Sequence, residues 1–164
     1  MDLNLIVAIG KKGEIGKDGD LIWKIGADLK RFKDLTLGHP VIMGRKTWES
    51  LPKKPLPGRR NIILSRRSDF KPEGAEVTPS VDEALNLTQG ESPFVIGGAQ
   101  VYEAFLPYVT RLYLTEVDDT CADADSFLNL NLNAGWEKTE ESETLTTPEG
   151  ISYRYVTYQK VGKP

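Results

Sequence analysis

The sequence predicts an α/β domain: a central, mixed but mostly parallel sheet with an antiparallel C-terminal edge and helices on both faces. Three observations predict it. Short, continuous apolar runs rich in β-branched residues recur through the first two thirds of the chain, as strands covered on both faces require. Helix-like stretches separate these runs, which implies crossover connections and parallel pairing. The last third carries strand-like segments with no convincing helix between them.

Taken in order, residues 5–9 read as the first strand and 27–36 as the first helix. A strand over 40–43 is followed by a short helix over 47–51, and a strand over 61–64 comes next. Ser80, with Glu83 three residues on, makes a capping-box start for a helix over 80–87. A strand over 94–96 and a helix over 99–105 complete the alternating part. Residues 111–117, 136–142 and 152–161 are strand-like, and the turn signal Pro148-Glu149-Gly150 predicts an antiparallel hairpin between the final two. Between the first strand and first helix, Gly10, Gly13, Gly16 and Gly19 recur among charged residues. They match neither the dinucleotide-binding nor the P-loop glycine pattern. Residues 10–24 therefore read as a long loop, and loops of that length inside a domain are usually functional or disordered. With Ile22 and Trp23 to anchor its far end, an ordered lid over a site is expected.

The 164 residues suit one domain, 1–164, able to bury roughly two thirds of its unfolded surface without disulfides. The only cysteine, Cys121, cannot pair within the chain, which suits a reducing compartment. The net charge of −3 argues against broad nucleic-acid or anionic-membrane binding. No apolar run approaches the roughly 20 residues that span a bilayer, and Met1-Asp2-Leu3-Asn4 lacks the basic start of a signal peptide. A cytoplasmic monomer is expected, because no exposed apolar stripe stands out.

Asp28 is the first chemical candidate. It lies one turn before Phe32, two before Leu35 and beside Leu29, so helical spacing puts its carboxylate on the apolar stripe. It could simply complement the helix dipole. A functional carboxylate, if buried, needs a partner such as a cationic or amidine-like ligand edge. The second signal is a pair of strand-to-helix junctions. One ends at Gly44 and continues Arg45-Lys46-Thr47; the other ends at Gly97-Gly98 and continues Ala99-Gln100-Val101-Tyr102. Glycine permits close backbone approach there, and the helix starts offer free N–H groups to an anion. Each junction alone reads as an ordinary tight turn. Together, and with Arg66 and Arg67 nearby, they suggest a ligand carrying phosphates at separated points. One histidine, His39, and one cysteine cannot form a usual zinc site, so no metal is expected. A triad would have to use His39 without a nucleophile elbow. Trp48, Trp136 and Tyr153 read as core and sheet residues.

These residues carry a resemblance. Residues 40–51 look like the central motif of the dihydrofolate reductases, and Leu56-Pro57-Gly58-Arg59-Arg60-Asn61 and residues 95–102 are similar to two more. Ile15-Gly16, Ala27-Asp28-Leu29 and Leu112-Tyr113-Leu114-Thr115 stand where the family has them. The resemblance covers essentially the whole chain and is closest to the bacterial form. It implies reduction of dihydrofolate to tetrahydrofolate with NADPH, for one-carbon metabolism, by an antifolate target. Asp28 would bind the pterin 2-amino group and N3, with Thr115 linked to it. Ile6, Leu29, Phe32, Leu51 and Leu56 would wall the substrate, and Arg59 would grip its glutamate α-carboxylate, a task suited to a guanidinium fork. Ala8, Ile15 and Gly16 would lie along the nicotinamide. Gly44, Arg45, Lys46 and Thr47, with Gly97 through Tyr102 (Gly98, Ala99, Gln100, Val101), would cradle the phosphates, and in the family the Gly-Gly peptide is cis. Arg45, Ser65 and Arg66 would meet the adenosine 2′-phosphate, favouring NADPH over NADH. Segment 10–24 would be the mobile active-site loop, with Leu21 and Trp23 at the reacting centre.

By the same resemblance, hydride passes to pterin C6 while water supplies the N5 proton, Asp28 orienting and polarising the ring. The chain departs from the family at Leu21 (often Met), Ile22 and Gly26 (often Pro), around Lys53-Lys54 (an extra residue), and at Ala124-Asp125-Ser126, where a Gly-Asp-Thr segment is usual. The changes at Ile22 and Gly26 should loosen the loop-to-helix junction. A pyrimidine reductase of riboflavin synthesis shares the fold, but its ribityl-phosphate substrate gives Arg59 no carboxylate to hold. A non-catalytic nucleotide- or folate-binding module would bind NADPH tightly without turnover, and a fold-only structural protein leaves the clustered site residues unexplained.

Overall fold

The computed structural model describes residues 2–161. Its strands are β1 (Asn4–Ile9), β2 (Glu14–Gly16), β3 (Val41–Gly44), β4 (Asn61–Leu64), β5 (Glu76–Thr78), β6 (Phe94–Gly97), β7 (Arg111–Val117), β8 (Ser126–Phe127), β9 (Trp136–Glu141), β10 (Leu145–Thr146) and β11 (Ser152–Lys160). The helices are α1 (Gly26–Thr36), α2 (Arg45–Ser50), α3 (Val81–Leu87) and α4 (Ala99–Phe105), with a 3-10 turn at Leu106–Tyr108.

The main sheet runs β10-β11-β7-β1-β6-β3-β4-β5, with β9 also paired to β11. From β7 to β5 every pairing is parallel, and β11 joins β7 antiparallel. Side chains alternate across the strands, and the core divides accordingly. Leu5, Val7, Ile42, Ile62, Val95, Leu112 and Leu114 face α3 and α4 through Ala84, Val101 and Phe105. Ile6, Val41, Met43, Ile63 and Phe94 face α1 and α2 through Phe32, Leu35 and Trp48. Helices cover both faces, as predicted. Ser80 Oγ accepts from the Glu83 N–H at 3.2 Å, so the predicted cap at α3 forms. The Pro148-Glu149-Gly150 turn closes the β10–β11 hairpin through the Thr147 N–H on the Ile151 carbonyl, at 2.9 Å.

Residues 10–24 are not all loop. β2 pairs antiparallel with β8, and Lys17 bridges Asp20 across a turn in which Asp18 has φ of 52°. The partner of β2 lies more than 100 residues away, so no local pattern could announce it. β5 escapes prediction for a different reason: of its three residues only Thr78 is buried, so no apolar run marks it. No helix among the described residues is long and apolar enough to cross a membrane. No group of three or more His, Cys, Asp or Glu among them is placed to hold a metal ion.

Candidate functional site

The parallel strands bring their C-terminal ends to one edge, where ligands of open α/β sheets bind. β3 and β6 are neighbours, with Met43 opposite Gly97, so the two junctions separated in sequence stand side by side. Thr47 of α2 bridges them. A Cβ on Gly97 would lie 3.6 Å from Thr47 Oγ1, and one on Gly98 would lie 3.8 Å from it. Gly44 caps α2 and Gly98 caps α4, and neither helix start receives a side-chain hydrogen bond. The N–H groups there remain for a ligand. The Gly97–Gly98 peptide is cis.

Tyr102 is buried on α4 and donates its hydroxyl to the Ile6 carbonyl at 2.8 Å, locking that helix to β1. Burial, with the Asp28 charge adding to it, pushes this phenol far above the usual tyrosine range. Val101 is buried too, while Ala99 is half-buried and Gln100 exposed. β4 ends beside β3, Leu64 opposite Gly44, so Ser65 and Arg66 emerge next to Arg45 and Lys46. Arg45 pairs with Glu49 one turn along at 2.8 Å, and Ser65 Oγ accepts from the Arg67 N–H at 3.2 Å. Lys46 and Arg66 are exposed cations.

Asp28 sits in the first turn of α1, half-buried, and accepts the Thr115 hydroxyl on Oδ1 at 2.5 Å. Thr115 is buried on β7, opposite Ala8 of β1 and Tyr155 of β11. The dipole-only reading of Asp28 therefore gives way to a specific, long-range partner. Burial raises its carboxyl above the usual range, against the Thr115 hydrogen bond and the positive charge of Arg31. Arg31, one turn on, stacks its guanidinium 4.1 Å from the centre of the Tyr155 ring. Burial and the Asp28 charge push the Tyr155 phenol up to about 12.

Ile6, Phe32, Leu51 and Leu56 share one apolar cluster beside Asp28's helix. Leu29 does not join it and stays 48% exposed. Arg59 reaches Thr36 Oγ1 through Nη1 at 3.0 Å and the Pro57 carbonyl through Nε at 2.9 Å. It makes no salt bridge among the described residues, and partial burial lowers its pKa. A half-buried, unpaired guanidinium at the end of an apolar wall suits an incoming carboxylate. A 790 Å³ cleft on the other face of β7, lined by Lys11, Glu116, Phe127, Leu130 and Arg154 among others, contains none of these residues.

In the lid, Ile15 and Gly16 are buried, whereas Leu21 is 46% exposed. Trp23 is buried and donates its Nε1 to Asp119 Oδ2 at 3.1 Å. Ile25 is also buried, in the same apolar cluster as Trp23. The segment lacking the usual glycine still engages the lid. The Asp125 N–H donates to the Gly16 carbonyl at 3.1 Å, and Asp125 Oδ2 accepts from the Asp18 N–H at 2.9 Å. Asp119, Asp125, Arg31 and Tyr155 were outside the predicted set, since their relevance comes from partners far along the chain.

A model of the dihydrofolate reductase family matches residues 2–160. The dihydrofolate reductase of Mycobacterium leprae (strain TN) is 46% identical over 162 residues, covering 96% of this chain and 98% of that protein. That of Neisseria meningitidis serogroup A is 43% identical over 159 residues, with the same coverage. Among solved structures, the Enterococcus faecalis dihydrofolate reductase complexed with NADP(H) and RAB-propyl superposes with a TM-score of 0.89. It is 32% identical, and the match covers 98% of this chain and 97% of that one.

Proposed function

The chain belongs to the dihydrofolate reductase family, and from that premise we infer how its residues reduce dihydrofolate to tetrahydrofolate with NADPH. The observation that carries the assignment of roles is the Asp28 carboxylate, held by Thr115 on the α1 face beside two uncapped helix starts. Asp28 accepts from the pterin 2-amino group and N3, and Thr115 fixes its orientation. Ile6, Leu29, Phe32, Leu51 and Leu56 wall the ring and benzoyl group, and Arg59 holds the glutamate carboxylate.

The residues present fit a dinucleotide phosphate. Gly44, Gly97 and Gly98 leave room where side chains would intrude, and Thr47 lies between the two junctions. Thr47 and the N–H groups through Tyr102 hold the pyrophosphate, Arg45, Ser65 and Arg66 the 2′-phosphate, and Ala8, Ile15 and Gly16 the nicotinamide side. The bound cofactor supplies hydride to pterin C6. The protein aligns the two rings, keeps the Asp28 charge beside the pterin, and excludes bulk water with the lid while a water delivers the N5 proton. Leu21 and Trp23 complete the lid over that centre. We place the enzyme in the cytoplasm as a monomer, one domain over 1–164, with no nucleic-acid or membrane partner. The net charge of −3 and the family match over 2–160 support this reading.

Adding dihydrofolate to the protein and NADPH should cause rapid loss of NADPH absorbance. Folded protein that binds NADPH without oxidising it would return the binding-module alternative. Arg59→Lys should raise the KM for dihydrofolate about tenfold and leave kcat nearly unchanged, because a point charge replaces a planar fork in a contact made equally in ground and transition states. An unaltered KM would remove Arg59 from the carboxylate subsite.

A further inference from the structure

Glu14 is a buried carboxylate that the reaction as described does not use. It is 1% exposed and lies within the lid, yet neither oxygen is left unpaired. Oε1 accepts the Lys12 N–H at 2.8 Å, and Oε2 accepts the Cys121 N–H at 2.7 Å. One side chain thus joins the lid to a segment 107 residues further along. The backbone continues the clamp. The Gly10 N–H donates to the Glu14 carbonyl at 2.9 Å, and the Lys11 N–H donates to the Asp119 carbonyl at 3.0 Å. Gly10 is tight against the same group: a Cβ there would fall 2.6 Å from Glu14 Oε1 and 2.5 Å from the Trp23 ring.

We propose that Glu14 is a positioning residue for the hydride transfer, its carboxylate holding the lid to residues 119–121 so that Ile15 and Gly16 stay against the nicotinamide. This rests on the reading that Ile15 and Gly16 line the nicotinamide side. The chemistry favours an ionised carboxylate. Both partners are N–H donors, and charge-assisted bonds of this kind are the stronger class. Burial pushes the carboxyl up, but the Cys121 and Lys12 N–H groups and the Lys12 charge outweigh it and leave Glu14 below its ordinary value. The group therefore stays charged throughout the neutral range. The ion pairs that also tie the lid to this region are weaker. Lys11–Asp118 and Lys17–Asp123 are solvent-exposed pairs at 3.3 Å, and such pairs contribute little.

Glutamine at position 14 has the same shape but one acceptor. Its amide NH2 must face either the Lys12 or the Cys121 N–H, donor against donor, so one link is lost. Glu14→Gln should weaken NADPH binding roughly tenfold, equivalent to about 1.4 kcal/mol, and slow single-turnover hydride transfer by a similar factor. The KM for dihydrofolate, set on the α1 face, should stay within about twofold, and Glu14→Asp should show a smaller defect in the same two quantities. Ile15→Ala, measured alongside, separates the two premises. If Ile15→Ala leaves NADPH affinity unchanged, the placement of the nicotinamide is wrong. If Ile15→Ala weakens it while folded Glu14→Gln does not, or if Glu14→Gln lowers Tm and affects every kinetic constant alike, the positioning role is overturned. Should the variants not fold, amide exchange in the unaltered protein decides: NADPH should slow exchange at Cys121 about tenfold, and no change would sink the coupling.

Discussion

Asp28→Asn should cut dihydrofolate-dependent NADPH oxidation by at least about a hundredfold, the usual scale for removing one electrostatic partner of the reacting group. It should do so without lowering thermal stability at neutral pH. The two halves of this expectation share one cause. Asp28 is half-buried, its partners are the Thr115 hydroxyl and the Arg31 charge, and burial prevails, so its carboxyl titrates above the ordinary value. A folded state with the higher pKa binds the proton more tightly than the unfolded chain does, near pH 3.9. Between those two values the native state carries more protons, so stability falls as pH rises. At neutral pH the ionised carboxylate therefore works against folding. Asparagine keeps the acceptor for Thr115 and removes the charge. The Tm of Asp28→Asn at neutral pH should equal or exceed that of the unaltered enzyme, and the difference should shrink on acidification through the Asp28 titration. A variant that loses activity together with several degrees of Tm would make Asp28 a structural group instead.

Gly97→Ala should give the second largest effect, in both stability and cofactor affinity. Gly97 has φ of +126°, a region that L side chains rarely adopt. The added Cβ would meet the Tyr102 ring and hydroxyl at 3.5 Å, an ordinary contact, so the cost lies in the backbone conformation rather than in crowding. Strain of this kind costs on the order of 1–3 kcal/mol. Relaxing it would turn the Gly97–Gly98 backbone away from the cradle. NADPH affinity should fall more than tenfold, and Tm should drop measurably. Gly98→Ala is the control. Its φ is −85°, and the nearest obstacle to a Cβ is Thr47 Oγ1 at 3.8 Å, so its loss of stability should be clearly smaller. Equal behaviour of the two variants, read by thermal unfolding and NADPH titration, would refute the conformational argument.

What the sequence determined by itself is whatever a short window can encode. The apolar runs of β1, β3, β4 and β6 are legible because a strand buried on both faces must be apolar throughout. The α3 cap is legible because Ser80 and Glu83 lie within one turn, and the motifs around Gly44, Arg59 and Gly97 carried the family. Asp28's place on the apolar stripe was also visible, but not whether the carboxylate had a partner. Only the tertiary structure decided that Thr115 meets Asp28, that β3 and β6 stand side by side so two glycine junctions form one cradle, and that β2 finds β8. It also left Leu29 and Leu21 exposed and buried Glu14, the reverse of what their side chains suggest. The reason is physical. Periodicity and caps act through neighbours in the chain, whereas the environment of a side chain is set by strand order. Residues 107 apart, such as Glu14 and Cys121, become partners only when the sheet closes between them.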